Sequence, residues 1–371
     1  MPAAAPERRR VRVGYEQTGF ELDTAGTARA ARRLREAIEE RGEVEVVPIA
    51  QPAARPGLGG RIARGLARET TWFPWGLARH AAGLDLDLLH CPFPLAPPAS
   101  PVPLVCTLND VMAWEHPEWF GRALVLQHRL GFTRALRGAV RVLTPSRFAH
   151  ERIVSVLRLD PERIEVVPYG VDPVFTPGPR DEEALARLGV AGDYVLCVGT
   201  LQPRKNLAGA LAAFERRVAA GGDERLVVAG ARGWRDGALA QRLGQSPARD
   251  RIHALGRVSE QDLVALYRSA ACLLYPSRGE GFGFPVLEAM ACATAVVCSG
   301  TTSLPEVAGG AAELVDPEDL QDIARGLGAV LDDAARREDL VRLGTQRAAQ
   351  FTWERCARQT VAAYRAAAAA A

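Results

Sequence analysis

The sequence predicts an α/β protein of two doubly wound domains, each a parallel β-sheet covered by helices on both faces. Three observations carry that reading. Short, near-continuous apolar runs recur along the 371 residues, helix-like stretches separate them, and a segment rich in proline and glycine divides them six and six. Strands apolar at nearly every position suit a sheet buried on both sides, and strands alternating with helices suit parallel pairing.

In the first half the runs are VRVGYE (11–16), VEVVPI (44–49), LLHCP (88–92), PLVCTL (103–108), RVLTPS (141–146) and IEVVPYG (164–170). The second half repeats the rhythm with YVLCVGT (194–200), RLVVAG (225–230), IHALG (252–256), ACLLYPS (271–277), ATAVVCSG (293–300) and AELVDP (312–317). Between them, residues 171–193 carry Pro173, Pro177, Gly178 and Pro179 in a polar setting and read as a linker. The expected division is a first domain over 1–175, a second domain over 176–350, and a last helical stretch over 351–371. Thr352 is a plausible N-cap for that stretch, which is expected to brace the two domains.

Composition narrows the function classes. Hydrophobic residues at 48% with 24% charged place the chain among soluble globular proteins. No window approaches the roughly 18 apolar residues of a membrane span. The opening MPAAAPERRR runs straight into the first strand without the apolar core of a secretory signal, so a cytoplasmic chain is expected. A net charge of only +2 and scattered aromatics argue against nucleic acid as a partner. The cysteines sit largely in apolar runs and the six histidines lack ligand spacing, so neither disulfides nor a metal is expected. Lys205 is the only lysine among 46 basic residues, which singles it out before its neighbours are considered.

Open α/β sheets bind ligands beyond the carboxyl ends of their strands, so the chemistry belongs in strand-to-helix loops. After the seventh strand, Gly199-Thr200-Leu201-Gln202-Pro203-Arg204-Lys205-Asn206-Leu207 brings two adjacent cations to a helix start. A solvated cation pair there would oppose the helix dipole, whereas a bound phosphate would relieve the conflict. After the tenth strand, PSRGEGFGFPVLEAM (276–290) places three glycines in five residues, with Glu280 in the loop and Glu288 eight positions on. Glycines permit close backbone approach to a ligand, and carboxylates accept from sugar or ribose hydroxyls. A carboxylate pair for glycoside hydrolysis is the competing chemistry.

This pattern, with GTLQPRKN (199–206) and LGRVSEQDLVALYRSAACLLYPS (255–277) ahead of it, resembles the donor domain of glycosyltransferase family 4, retaining enzymes of the GT-B fold. Fainter echoes in the first half are TAGTARAARRL (24–34), TLNDVMAWEHPEWF (107–120), VLTPSRFAHERI (142–153) and VVPYGVDPVF (166–175). The resemblance implies that Arg204 and Lys205 hold the donor diphosphate and steady the departing phosphate. It gives Glu280 to the transferred sugar, with the backbone of Gly281, Phe282, Gly283 and Phe284, and Glu288 to the ribose, with Leu287 beside it. Arg257 and Val258 match the segment that receives the base. Gly26 and Thr27 match the glycine turn that approaches the diphosphate from the other side.

Two positions depart from the family pattern. Asn109-Asp110 stands where the family has His-Asp or His-Glu, and asparagine keeps a hydrogen-bond donor but does not titrate. Thr200 stands where an arginine is common, which moves phosphate duty onto Arg204. Two further features compete for attention. Asp85-Leu86-Asp87 spells the metal-binding Asp-x-Asp of a different transferase fold, and residues 55–80 mix arginines with Trp72, Phe73 and Trp75, as a membrane-facing or acceptor-facing segment would.

The expected function is metal-independent, retaining transfer of a hexose from a nucleoside-diphosphate sugar, with a lean towards GDP-mannose, to a hydroxyl acceptor. The expected setting is cytoplasmic, with peripheral contact at the inner membrane face. The alternatives are a phosphorylase-like or hydrolytic relative and an inert scaffold that binds nucleotide sugar.

Overall fold

The computed structural model describes residues 9–21, 26–52, 67–93, 95–231 and 237–370. The chain forms two compact units, one of Met1–Pro145, His150–Gly170 and Trp353–Ala371, the other of Ser146–Ala149 and Val171–Thr352. The contacts thus group the last helix, Trp353–Ala369, with the first unit.

The first unit holds a six-stranded sheet of β1 (Val11–Glu16), β2 (Val44–Ile49), β3 (Leu88–Cys91), β4 (Leu104–Thr107), β5 (Arg141–Thr144) and β6 (Ile164–Val166). Its order is β2-β1-β3-β4-β5-β6 and every pairing is parallel. Every residue of β3 and β4 is buried, as strands covered on both faces require. The helix Gly26–Arg41 turns Ala30, Ala31, Leu34, Ala37 and Ile38 inward at helical spacing and packs against the helix Trp353–Ala369. Tyr364 of that last helix reaches the sheet, its hydroxyl 2.6 Å from His90 Nδ1, while His90 Nε2 lies 2.8 Å from Thr107 Oγ1. Burial pushes the His90 imidazole down to about 3, so the ring is neutral at physiological pH.

β1 lies between β2 and β3, and its last side chain, Glu16, is enclosed at 0% exposure. One carboxylate oxygen accepts from the Thr18 N–H (2.7 Å), while the other has no hydrogen-bond partner among the described residues. Burial pushes this carboxyl up to about 7.

The second unit holds β7 (Tyr194–Val198), β8 (Arg225–Ala229), β9 (Ile252–Gly256), β10 (Cys272–Tyr275), β11 (Val296–Ser299) and β12 (Glu313–Val315), again all parallel. Their order is β12-β11-β10-β7-β8-β9, so the chain winds outward through β8 and β9 and returns to start again at β10. The loops after β7 and β10 therefore open on opposite sides of the sheet's reversal point, where a crevice forms beyond the strand ends. The segment read as a linker, 171–193, contains a helix of its own, Glu182–Arg187, because the Asp181 side chain caps it by accepting from Ala184 N–H.

Candidate functional site

The loop after β7 begins with Gly199 at φ 134, a left-handed conformation that suits glycine. Its neighbour across the sheet is equally constrained: a Cβ at Gly230, just after β8, would stand 1.9 Å from the Gly199 carbonyl oxygen. The two cations lie on a 3-10 turn, Pro203–Lys205, and not in the helix itself. Asn206 follows in the left-handed region (φ 51), accepts from Gly209 N–H and starts the helix Leu207–Ala219. The two cations thus stand immediately ahead of the helix. Proline fixes the turn and asparagine tolerates the left-handed cap, so the helix begins two residues beyond Arg204–Lys205.

The loop after β10 is stitched to the loop after β7. Arg278 N–H donates to the Arg204 carbonyl oxygen, and Arg204 Nη1 donates to the Gly279 carbonyl (2.7 Å). At the centre is Glu280, 6% exposed. Its Oε1 accepts from Lys205 Nζ (2.5 Å), Tyr275 Oη (2.6 Å) and Ser277 Oγ (2.7 Å), and its Oε2 from Arg204 Nη1 (3.1 Å). Burial by itself would raise this carboxyl, but the charges of Lys205 and then Arg204 hold it down to about 2. Glu280 is therefore ionised at any physiological pH, and two cations converge on one carboxylate. Their exposures, 21% for Arg204 and 15% for Lys205, leave both side chains within reach of solvent. Thr200 joins Gly199, Lys205 and Tyr275 in lining a small hollow there.

The glycine loop is held by its carbonyls. Ser303 Oγ is within bonding distance of the carbonyl oxygens of Glu280 (2.9 Å) and Phe282 (2.8 Å). Gly283 adopts φ 116, and a Cβ there would come within 2.5 Å of Leu304 Cδ2, so only glycine fits. Gly281 precedes it, and the helix Phe284–Ala291 follows, opened by Pro285 in its first turn. Phe282 is buried, its ring 5.2 Å from that of Phe284. Leu287 belongs to the core. Glu288 is 3% exposed and accepts from the Tyr267 hydroxyl (3.0 Å), so the two glutamates have separate partners. Arg257, exposed, and Val258, half-buried, lie between β9 and the helix Glu260–Ser269.

In the first unit, Gly26 and Thr27 start their helix, and the start of the glycine turn, 24–25, lies outside the described residues. Asn109 and Asp110 follow β4. Asn109 Oδ1 accepts from the Tyr169 hydroxyl (2.6 Å), and Asp110 Oδ1 accepts from Met112 N–H (2.9 Å). Asp85 and Asp87 sit just before β3, at the opposite end of the strand from the strand-to-helix loops, and both pair with Arg9. Of the stretch 55–80, residues 55–66 lie outside the described residues; Trp72 and Phe73 are buried in the core, and Trp75 is 71% exposed. Sequence reasoning missed Tyr275, Ser277 and Tyr267, the hydroxyls that hold the two glutamates.

Comparison with known proteins agrees with this geometry. A family model described as "Glycosyl transferases group 1" matches residues 187–347, and one described as "Glycosyltransferase Family 4" matches 24–175. The chain is 35% identical to the O-antigen chain mannosyltransferase B of Escherichia coli over 269 residues, 70% of each chain. It is 31% identical to the D-inositol 3-phosphate glycosyltransferase of Salinispora tropica over 83% of this chain and 70% of that one. Among solved structures, the sucrose-phosphate synthase of Thermosynechococcus elongatus matches 98% of this chain and 100% of its own with a TM-score of 0.75 at 19% identity.

Proposed function

Because the chain belongs to glycosyltransferase family 4 and is a transferase of the GT-B fold, we propose that it moves a hexose with retention from a nucleoside-diphosphate sugar, of the GDP-mannose kind, to a hydroxyl acceptor held by its first unit. The observation that carries this reading is the convergence of Arg204 and Lys205 on the buried Glu280 at the reversal point of the second sheet. A diphosphate needs cations where charge grows on the leaving oxygen, and these two side chains supply them. Glu280 then turns to the sugar, backbone groups of Gly281–Phe284 line it, and Thr200 flanks the phosphates. Glu288 addresses the ribose and Arg257 and Val258 the base, while the side chain of Leu287 stays in the core. Gly26 and Thr27 would meet the diphosphate, and Asn109 and Asp110 the sugar, from the first unit. The mannose preference leans on the name of the E. coli relative.

Purified protein incubated with GDP-mannose, UDP-glucose and TDP-glucose tests the reading through nucleotide release and the anomeric configuration of the product. Binding without product would favour the inert scaffold. The same assay with chelator tests metal independence: loss of activity, rescue by manganese and sensitivity to Asp87→Ala would point to the Asp-x-Asp instead. Ranking GDP, UDP and TDP by thermal stabilisation identifies the base.

The two glutamates separate by ligand. Glu288→Ala is expected to weaken nucleoside diphosphate and intact donor alike, by about 1–3 kcal/mol, because it removes an acceptor for hydroxyls that both carry. Glu280→Ala is expected to leave nucleoside diphosphate binding undiminished and to weaken only the donor. Calorimetry with both ligands checks this, and equal loss of nucleoside diphosphate in both variants would reverse the assignment.

Peripheral contact with an anionic membrane is part of the proposal, although no helix among the described residues is long and apolar enough to cross one. The helical stretch 122–138 exposes Leu124 (40%), Leu126 (57%) and Leu130 (68%). Six arginines and no acidic residue lie between Glu118 and Glu151. Exposed leucines in a stretch with this excess of arginine suit an anionic bilayer surface. Co-sedimentation with phosphatidylglycerol against phosphatidylcholine vesicles tests it, and equal partition would discard it.

A further inference from the structure

We propose that Tyr275 is a positioning residue for Lys205, its hydroxyl bridging the ammonium and the Glu280 carboxylate so that the cation can leave its internal partner for an incoming diphosphate. The proposal rests on the reading of Lys205 as a cation for that diphosphate.

Tyr275 ends β10, which lies beside β7, and its side chain is 2% exposed. Its Oη stands 2.5 Å from Lys205 Nζ and 2.6 Å from Glu280 Oε1. An ammonium only donates and an ionised carboxylate only accepts, so the roles at this oxygen follow. Tyr275 accepts from Lys205 and gives its one proton to Glu280. Ser277 Oγ, at 2.7 Å from the same carboxylate oxygen, adds a second neutral donor.

This arrangement answers a problem the site sets for itself. Before a donor arrives, Lys205 neutralises Glu280, and an anion must compete with that carboxylate for the same ammonium. When the ammonium turns to the diphosphate, Glu280 keeps its charge in a buried place, where losing a partner is costly. The Tyr275 and Ser277 hydroxyls remain on Oε1 and limit that cost. Tyr275 also gives Lys205 an uncharged acceptor, so the cation stays near the phosphate without being held by a second charge. Removing the hydroxyl leaves Lys205 more dependent on Glu280, and anion binding weakens for that reason alone.

The dependence on Glu280 is what distinguishes this role from packing. Calorimetry of the full chain with inorganic pyrophosphate, a probe free of base and sugar, would compare wild type, Tyr275→Phe, Glu280→Gln and the double variant. Tyr275→Phe, which keeps the ring, is expected to weaken pyrophosphate roughly tenfold, as loss of a hydrogen bond to a charged group does. Glu280→Gln is expected to strengthen it, and in that background Tyr275→Phe should change affinity less than about twofold. Equal weakening in both backgrounds, or none in the first, would overturn the proposal. Should Tyr275→Phe fail to fold, Glu280→Gln decides alone, because weaker pyrophosphate binding there removes the internal competition on which the role depends. Lys205→Ala separates this from the underlying reading: wild-type pyrophosphate affinity in that variant would refute Lys205 as the diphosphate's cation whatever Tyr275 does.

Discussion

Lys205→Ala is expected to lower turnover about 10²–10³-fold, with a smaller effect on donor KM. The ammonium is one of two cations at the loop after β7, and its charge matters most as negative charge builds on the departing phosphate. An interaction stronger in the transition state than in the ground state appears in kcat, whereas one equal in both appears in KM. The variant also leaves Glu280 with Arg204 as its only charged partner among the described residues, so a lower melting temperature should accompany the rate loss. Steady-state kinetics at saturating donor, on protein shown to be folded by its thermal transition, checks the result. Turnover unchanged in such a protein would remove Lys205 from the chemistry and leave it a structural counter-ion to Glu280.

The second large effect concerns stability against pH and lies in the first unit. Glu16, fully enclosed at the end of β1, holds its proton up to about pH 7, whereas in the unfolded chain it ionises in the ordinary carboxylate range. Below that ordinary range both states are protonated and Glu16 adds no slope. Between it and pH 7 the native state binds the extra proton, so stability falls as pH rises, and above pH 7 the loss is complete. The shift corresponds to about 3 kcal/mol across the window. Urea unfolding of wild type and Glu16→Gln at pH 5 and pH 8 should therefore show a slope in the wild type that the variant lacks to that extent. Parallel curves would mean that the carboxyl is solvated in the native protein.

The contrast between these residues shows what can be read from the chain. Strands were legible because sheets covered on both faces demand apolar residues at successive positions, as in Leu273–Leu274 of β10 and Val296–Val297 of β11. Lys205 stood out because arginine fills every other cationic position, and Glu280 because glycines flank it. Tyr275 did not stand out: in CLLYPS it reads as one more buried residue of a strand, and its hydroxyl acquires a role only because β10 lies beside β7. Glu16 reads as an ordinary polar strand end until β2 and β3 enclose it. The left-handed turn at Asn206 was not legible, because it depends on a cap and on a bond from the Asn206 side-chain amide to the Pro317 carbonyl, 111 residues away.

The return of the last helix to the first unit has a consequence for synthesis on the ribosome. Tyr364 bonds His90 across 274 residues of sequence, and the whole of the second unit is made between them. The nascent first unit therefore has its sheet but lacks the helix that covers Gly26–Arg41, and the buried His90 lacks one partner, until translation has passed residue 364. Its apolar helix face waits uncovered while β7 to β12 emerge and fold. The unit encoded first is thus the unit completed last, and the interval during which that apolar face stays uncovered is set by the length of the unit inserted within it.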